Sequence, residues 1–183
     1  TSNTAESYYT LAAGMDANLR VSRQVFRAHA EYNQTWFDQY SMLDYDGRDA
    51  YLKWDWLVGS VVKGDVGVAE TLTQASYANV KQPVSNLIRT RKSFFHTAIG
   101  LDDPWLMKFG AERIDTDNYA SVLDEQDATV DTVNAGVQFR SRKGSTVELI
   151  SQRSDGRYPN RQIVGLAAID NDYLQWDNGV AVV

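Results

Sequence analysis

Several runs of twelve or more residues in this chain alternate between apolar and polar residues, so that every second residue is apolar. A period of two predicts a β-strand, because successive side chains of a strand point to opposite faces. Strands of soluble proteins average about five or six residues, whereas a tilted strand needs about nine to eleven to cross a bilayer. The length of the runs therefore predicts membrane-crossing strands. The first run, residues 8 to 20, has its apolar positions at Tyr9, Leu11, Ala13, Met15, Ala17 and Leu19.

The pattern predicts nine strands, joined alternately by short and long connections. Short turns are expected at 21–24, 57–60, 102–104 and 142–144, and long polar loops at 38–47, around 79–83, at 115–127 and at 155–172. In a meander this order places the short turns at one end and the long loops at the other, as in outer-membrane barrels. The predicted fold class is all-β, an antiparallel up-and-down transmembrane β-barrel, with residues 1–183 as one barrel domain or part of one. Because bacterial single-chain barrels have even strand numbers, nine strands predict that more complete the barrel.

The two faces of the predicted strands suit a membrane barrel. Aromatic residues fall near strand ends, where such barrels carry aromatic girdles: they are Tyr8, Tyr9, Trp36, Phe37, Trp54, Trp56, Trp105 and Trp176. The other face carries charges of both signs, which suits a water-filled interior. The predicted pore-lining residues are Arg27, Glu31, Lys53, Asp65, Lys108, Glu112, Asp131 and Glu148.

Composition narrows the function classes. The chain has no Cys, which removes disulfides and thiolate metal sites. Its formal net charge is -6 with both signs interspersed, so it has no electrostatic footprint for nucleic acid. The chain has no apolar run of about 18 residues, so the sequence predicts no membrane-spanning helix. Residues 1–6 lack the features of a signal peptide, as expected for a mature or excised chain.

Several turn and loop segments, in order along the chain, resemble one family of outer-membrane barrels. They are residues 21–24 with Phe26, 33–35, 37–38, 43–47, the Trp54/Trp56 pair, 86–90, 115–119 and 154–161. In these segments the chain resembles the barrels found with exosortase-associated exopolysaccharide biosynthesis clusters. The resemblance implies a bacterial outer-membrane protein that helps export a polysaccharide, and it implies no catalytic residue. Members of that family have longer chains with more strands, so it also implies that this chain is a fragment.

The expected function is a passive conduit or scaffold for exopolysaccharide export, with no enzymatic activity and no cofactor. The expected partners are membrane lipid or lipopolysaccharide, the polysaccharide, and other subunits of an export machinery. Tyr51 and Tyr119 are candidates for stacking on sugar rings. Basic clusters could line a path for an anionic polymer or pair with acids across strands: they contain Arg89, Arg91, Lys92, Arg140, Arg142, Lys143, Arg153, Arg157 and Arg161.

Other chemistry is weakly indicated. His29 and His96 lack the spacing of a zinc site and are interpreted as polar side chains. No nucleophile elbow is present. Loop acids could offer oxygen ligands to calcium, but without EF-hand spacing a solvated loop is the preferred interpretation: these residues are Asp115, Asp117, Asn118, Asp124, Glu125, Asp127 and 170–172.

Two alternatives remain open at this point. A soluble ligand-binding barrel would bury the apolar face and expose the charged one. A structural protein would leave sheet edges free to assemble with other chains. The soluble alternative predicts Leu11, Met15, Leu52, Trp54 and Met107 buried together, with Lys53, Asp65 and Glu112 outermost.

Overall fold

Nine long strands form one antiparallel meander in the computed structural model, which describes residues 7–75, 86–100, 104–160, 162–164 and 167–182. Each long strand pairs with its neighbour in the chain, and a small hairpin, β9–β10, interrupts the last connection. The predicted all-β, up-and-down architecture is confirmed. The strands are β1 (Tyr8–Val21), β2 (Gln24–Phe37), β3 (Tyr45–Val58), β4 (Val62–Gln74), β5 (Leu87–Ile99), β6 (Trp105–Asn118), β7 (Ala128–Arg140), β8 (Thr146–Arg157), β9 (Gln162–Val164), β10 (Ala167–Ile169) and β11 (Tyr173–Val182).

Several strands extend further into the polar segments than the apolar pattern indicates. β6 runs to Asn118 and β8 to Arg157, so the long loops predicted from 115 and 155 begin later, and β3 already begins at Tyr45. These extensions carry charged side chains that pair across strands, which is why hydrophobicity alone misses them. The hairpin β9–β10 and the 3-10 turns at Ser41–Leu43 and Ser121–Gln126 were not predicted. The loop around 79–83 and residues 102–103 lie outside the described residues.

The sheet has no apolar core among the residues that the structure describes. Leu43 is the one buried hydrophobic residue there. Most of the large apolar side chains lie on one face, where many are exposed: 69% for Met15, 56% for Leu52 and 52% for Met107. Lys53 and Asp65 on the other face are only 32% and 23% exposed. A soluble barrel would require the opposite arrangement.

The strands are tilted relative to the layer that the apolar side chains define. One row of hydrogen-bonded neighbours on a single face is apolar on β1–β3 and charged from β4 onward: Met15, Ala30, Ala50, Glu70, Arg91 and Asp115. Because a membrane surface is flat, such a row must cross it obliquely. Tilted, staggered strands are the geometry that closes a sheet into a barrel.

The described strands form an open sheet with two long edges. Every residue of β1 and of β11 is exposed, and these two strands end the strand order. No helix in the described part of the chain is long and apolar enough to cross a membrane.

Candidate functional site

The strand register divides the side chains into a polar face and an apolar face. Of the eight predicted pore-lining residues, seven share the polar face: Arg27, Glu31, Lys53, Asp65, Lys108, Glu112 and Glu148. Asp131 does not. It pairs with Arg113 and has the parity of Val133, which places it on the apolar face. Its assignment to the polar face was wrong, because residues two apart on a strand share a face.

A chain of ion pairs crosses the polar face. Arg27 on β2 pairs with Asp55 on β3. The Nζ atom of Lys53 lies 3.2 Å from Asp55 and 3.4 Å from Asp65, so this lysine links β3 to β4. The alternating signs partner these four charges, so this part of the polar face is neither strongly cationic nor strongly anionic.

Phe94 lies within this charged surface and was missed by the sequence analysis. The Nζ atoms of Lys53 and Lys92 lie 5.9 Å and 5.8 Å from its ring centroid, and the ring of His96 stacks on it at 5.5 Å. Its side chain covers Gly67, where a Cβ would approach the ring to 2.6 Å. An aromatic ring beside two ammonium groups attracts both cations to its face, and each of these lysines is also paired with a carboxylate. The signal in the sequence was its parity with Lys92.

Tyr51 also lies on the polar face, as predicted, and stacks on His29 at 5.5 Å. His29 links three strands: its Nδ1 lies 2.8 Å from Asp16 and its Nε2 3.6 Å from Asp49. The other predicted sugar-stacking residue, Tyr119, instead lies under the guanidinium of Arg89, 5.7 Å from the ring centroid.

A groove of about 450 Å³ follows the polar face near the short turns. Its polar lining includes Asp55, Lys63, Asp65, His96, Lys108 and Asn134. Oppositely charged and amide groups converge there, and this suits the binding of hydroxyl-rich molecules.

The apolar face changes character toward the long loops. Its turn-proximal part, which we call the apolar band, includes Leu52, Trp54, Val66, Val68, Phe95, Met107 and Val133. Beyond the band lies a charged surface that we call the arginine belt: Arg48, Glu70, Arg89, Arg91, Arg113, Asp115, Asp117, Asp131, Arg153, Asp155 and Arg157.

Ion pairs join β3 to β4 in the arginine belt, and a second series of ion pairs joins β5 through β8. Arg48 pairs with Glu70 at 2.7 Å, and Arg89 pairs with Asp117 at 2.8 Å. Several arginines of the predicted polymer path, including Arg91, therefore belong to the apolar face and pair across strands, whereas Lys92 and Arg140 lie on the polar face.

An asparagine pair organises the loop end of β5 and β6. Asn86 is 2% exposed and donates from Nδ2 to Asn118 Oδ1 over 2.9 Å. Its own Oδ1 accepts from the backbone N–H groups of Tyr119 and Ala120. Asp127 accepts from Asn118 through the backbone N–H and Nδ2, at 2.6 Å and 3.1 Å. In the described residues no group of three or more acids or histidines is placed to hold a metal ion.

Comparison with known proteins identifies the type of sheet. OmpT, folded in vitro, an outer membrane protein of Vibrio cholerae, matches 94% of this chain with a TM-score of 0.53 and 13% sequence identity. The fold is that of an outer-membrane β-barrel. The match covers 54% of OmpT, so the chain spans about half the length of that protein. No family model and no curated protein matches the chain.

This likeness concerns the fold, and it supports the predicted location in the bacterial outer membrane. The resemblance to exosortase-associated barrels and the role in exopolysaccharide export stay predictions.

Proposed function

We propose that the protein forms, or contributes to, an outer-membrane conduit that passes exopolysaccharide through a polar interior by diffusion or guided threading, without bond chemistry. The observation that carries this proposal is the opposition of the two faces. One face is apolar and exposed, and the other carries paired charges and aromatic rings. In a barrel the second face encloses water and whatever moves through it.

The polar face has the features that a passing sugar polymer needs. Tyr51 and Phe94 present rings that can stack on sugar faces, and the ammonium groups of Lys53 and Lys92 lie close to the ring of Phe94. Ion pairs already satisfy most charges, so a polymer meets many weak contacts rather than one deep site. Weak, repeated contacts allow a substrate to leave as readily as it enters.

Such a conduit needs more strands than the nine described here. Unpaired backbone groups are not tolerated in hydrocarbon, and β1 and β11 both leave an edge unpaired in the sheet. Further strands, from a longer chain or from another copy, must therefore pair with these edges in the membrane. The same edges favour the structural alternative, in which the sheet assembles with other chains.

Single-channel recording in planar bilayers tests the proposal. The full protein, extracted from outer membranes, is expected to conduct ions, and added anionic polysaccharide is expected to block the current in resolved events. A Phe94→Ala and Tyr51→Ala double variant should shorten those events, because the aromatic rings that stack on the sugars are lost while the charges remain. A Phe95→Ala and Leu52→Ala double variant on the apolar face is the matched control.

Folded wild-type protein that conducts no ions contradicts the conduit and leaves the scaffold role. Equal block of the two double variants contradicts the role of the polar-face rings.

A further inference from the structure

We propose that the arginine belt and the apolar grooves below it bind a phosphate-bearing glycolipid of the outer leaflet. The proposal uses the outer-membrane location but not polysaccharide export. It concerns the outward side of the sheet, whereas the conduit concerns the polar interior.

The arginine belt lies where lipid headgroups must lie. It shares a face with the apolar band and follows it directly toward the long loops: on β5, Phe95 of the band is followed by Ser93 and then Arg91. On β6, Ala111 is followed in the same way by Arg113 and Asp115. If the band sits in hydrocarbon, the next two rows of side chains reach the headgroup layer. Outer-membrane barrels direct their long loops outward, so this layer is the outer one.

Five of the six arginines of the belt stand further out than its acids, whereas Arg89, at 29%, is no more exposed than they are. The side chains of Arg153 and Arg157 are 45% and 58% exposed, and those of Arg48, Arg91 and Arg113 fall between these values. The belt acids are 29–34% exposed, because their short side chains lie against the sheet. A formally near-neutral network thus presents a cationic outer surface.

The ion pairs leave guanidinium donors available. Asp117 is shared by Arg89 and Arg91, Asp131 by Arg113 and Arg157. Since each guanidinium has five N–H donors, two arginines on one carboxylate keep donors for another oxyanion.

The type of cation also points to phosphate. On the described strands every basic residue of the apolar face is an arginine, whereas Lys53, Lys63, Lys92 and Lys108 lie on the polar face. Arginine binds phosphate through two parallel hydrogen bonds and is more weakly hydrated than lysine. This distribution fits an oxyanion at the lipid boundary better than a general need for positive charge.

Two shallow grooves connect the apolar band to the arginine belt. One, of about 530 Å³, runs beside Leu52 and Val68, past the small Ser93, to Arg91 and Asp115. The other, of about 370 Å³, runs beside Val66, Phe95 and Val133 to Arg113 and Asp131. Each groove could seat an acyl chain while the arginine at its end holds the phosphate. This arrangement matches a molecule with both parts and not a free phosphate ion.

The test is native mass spectrometry of the full protein in detergent, titrated with phosphorylated lipid A and with its dephosphorylated form. The wild type should bind the phosphorylated lipid at least about tenfold more tightly, because charge-assisted hydrogen bonds to the phosphate are lost with it. The variant R91Q/R113Q/R157Q should lose that preference. The control variant K53Q/K92Q/K108Q removes the same charge from the polar face and should keep it.

A lysine variant and a competition with inorganic phosphate complete the test. R91K/R113K/R157K keeps the charge and should show a reduced preference, and it replaces the glutamine variant if that one fails to fold. Inorganic phosphate at millimolar concentration should not compete with the lipid. Equal wild-type affinity for both lipids, equal losses in the belt and control variants, or full competition by phosphate would each overturn the proposal. Conductance is not measured in this test. Lipid binding can therefore be refuted while the proposed conduit stands, and the conduit can be refuted while lipid binding stands.

Discussion

Lys108 and Glu148 form an ion pair of 2.8 Å although strand β7 lies between their strands. The contact reaches across because β7 places Gly136, which has no side chain, opposite Lys108. Both residues lie on the polar face. Their pairing holds three strands together on the side assigned to the interior of the barrel.

Reversing the charge of Lys108 should change the ion selectivity of the conduit. Lys108→Glu places two carboxylates together on the polar face, so the permeability ratio should shift toward cations. The shift should be large at about 0.01 M salt and small at about 1 M, because the screening length falls from about 30 Å to about 3 Å. Reversal potentials in asymmetric salt measure it. Arg153→Glu makes the same change on the apolar face, and an equal shift there would refute the assignment of faces.

Gly64 should not tolerate a side chain. A Cβ at this position would overlap the indole ring of Trp56 and the carbonyl oxygen of His96 on the neighbouring strand. Because the backbone contact cannot be relieved by a rotamer change, we expect Gly64→Ala to cost about 1–3 kcal/mol. Urea unfolding in lipid vesicles, followed by tryptophan fluorescence, measures this cost. Gly179→Ala, whose Cβ would lie 3.3 Å from Ile150 Cγ2, is the control and should cost less.

Asn86 should order the loop after β6. Asn86→Ala leaves the N–H of Ala120 without its acceptor, and a buried polar group that loses its partner costs about 1–3 kcal/mol. The N–H of Tyr119 loses one of two acceptors, because it also donates to the Leu87 carbonyl over 2.9 Å. Hydrogen exchange should accelerate at the Ala120 amide, and less at the Tyr119 amide. Asn86→Asp keeps the acceptor oxygen and should protect them better than alanine does. Unchanged exchange in Asn86→Ala would show that another group orders the loop.

Adjacent residues of β4 should respond differently to arginine. Val68 is 54% exposed on the apolar face, and Ala69 lies on the polar face. Val68→Arg should destabilise the protein in lipid vesicles by about 1–3 kcal/mol, between the costs at the interface and at the midplane, because Val68 is the last apolar residue on its face before Glu70 of the arginine belt. Ala69→Arg enters the hydrated interior and should cost much less, as measured by the unfolding free energy. Equal costs would mean that the two faces do not differ in their surroundings.

Much of the fold could be predicted from the sequence because a period of two survives in any strand with one apolar face. Runs such as that around Met15 are regular enough to give the strand number and the short turns. The alternation of apolar and polar residues no longer marks the strands where the apolar face gives way to the arginine belt. There, residues such as Asp115 and Arg157 continue the strands with charged side chains, and hydrophobicity alone assigns them to loops.

The candidate site could be predicted only in part. Parity placed Lys53 and Glu112 on the polar face, as the register has them. Parity would have placed Asp131 on the apolar face with Val133. The prediction for Asp131 was wrong because it relied on the charge of the residue instead of its position. The contacts of Phe94 and the ion pairs of the arginine belt depend on which strands are neighbours and in which register. Neither follows from the periodicity of a single strand.

A membrane-spanning sheet requires the apolar face to meet hydrocarbon, and spin labels along β3 can measure whether it does. Because residues 1–183 contain no Cys, single cysteines at positions 50 to 55 can each carry one nitroxide in lipid vesicles, with any cysteine elsewhere in the full protein replaced by serine. Collision rates with oxygen, which partitions into lipid, should be high at 50, 52 and 54. Collision rates with a water-soluble nickel complex should be high at 51, 53 and 55. Maxima for oxygen at 50, 52 and 54, together with maxima for nickel at 51, 53 and 55, are the predicted result. The exchanged pattern, or no alternation at all, would contradict a lipid-facing apolar face.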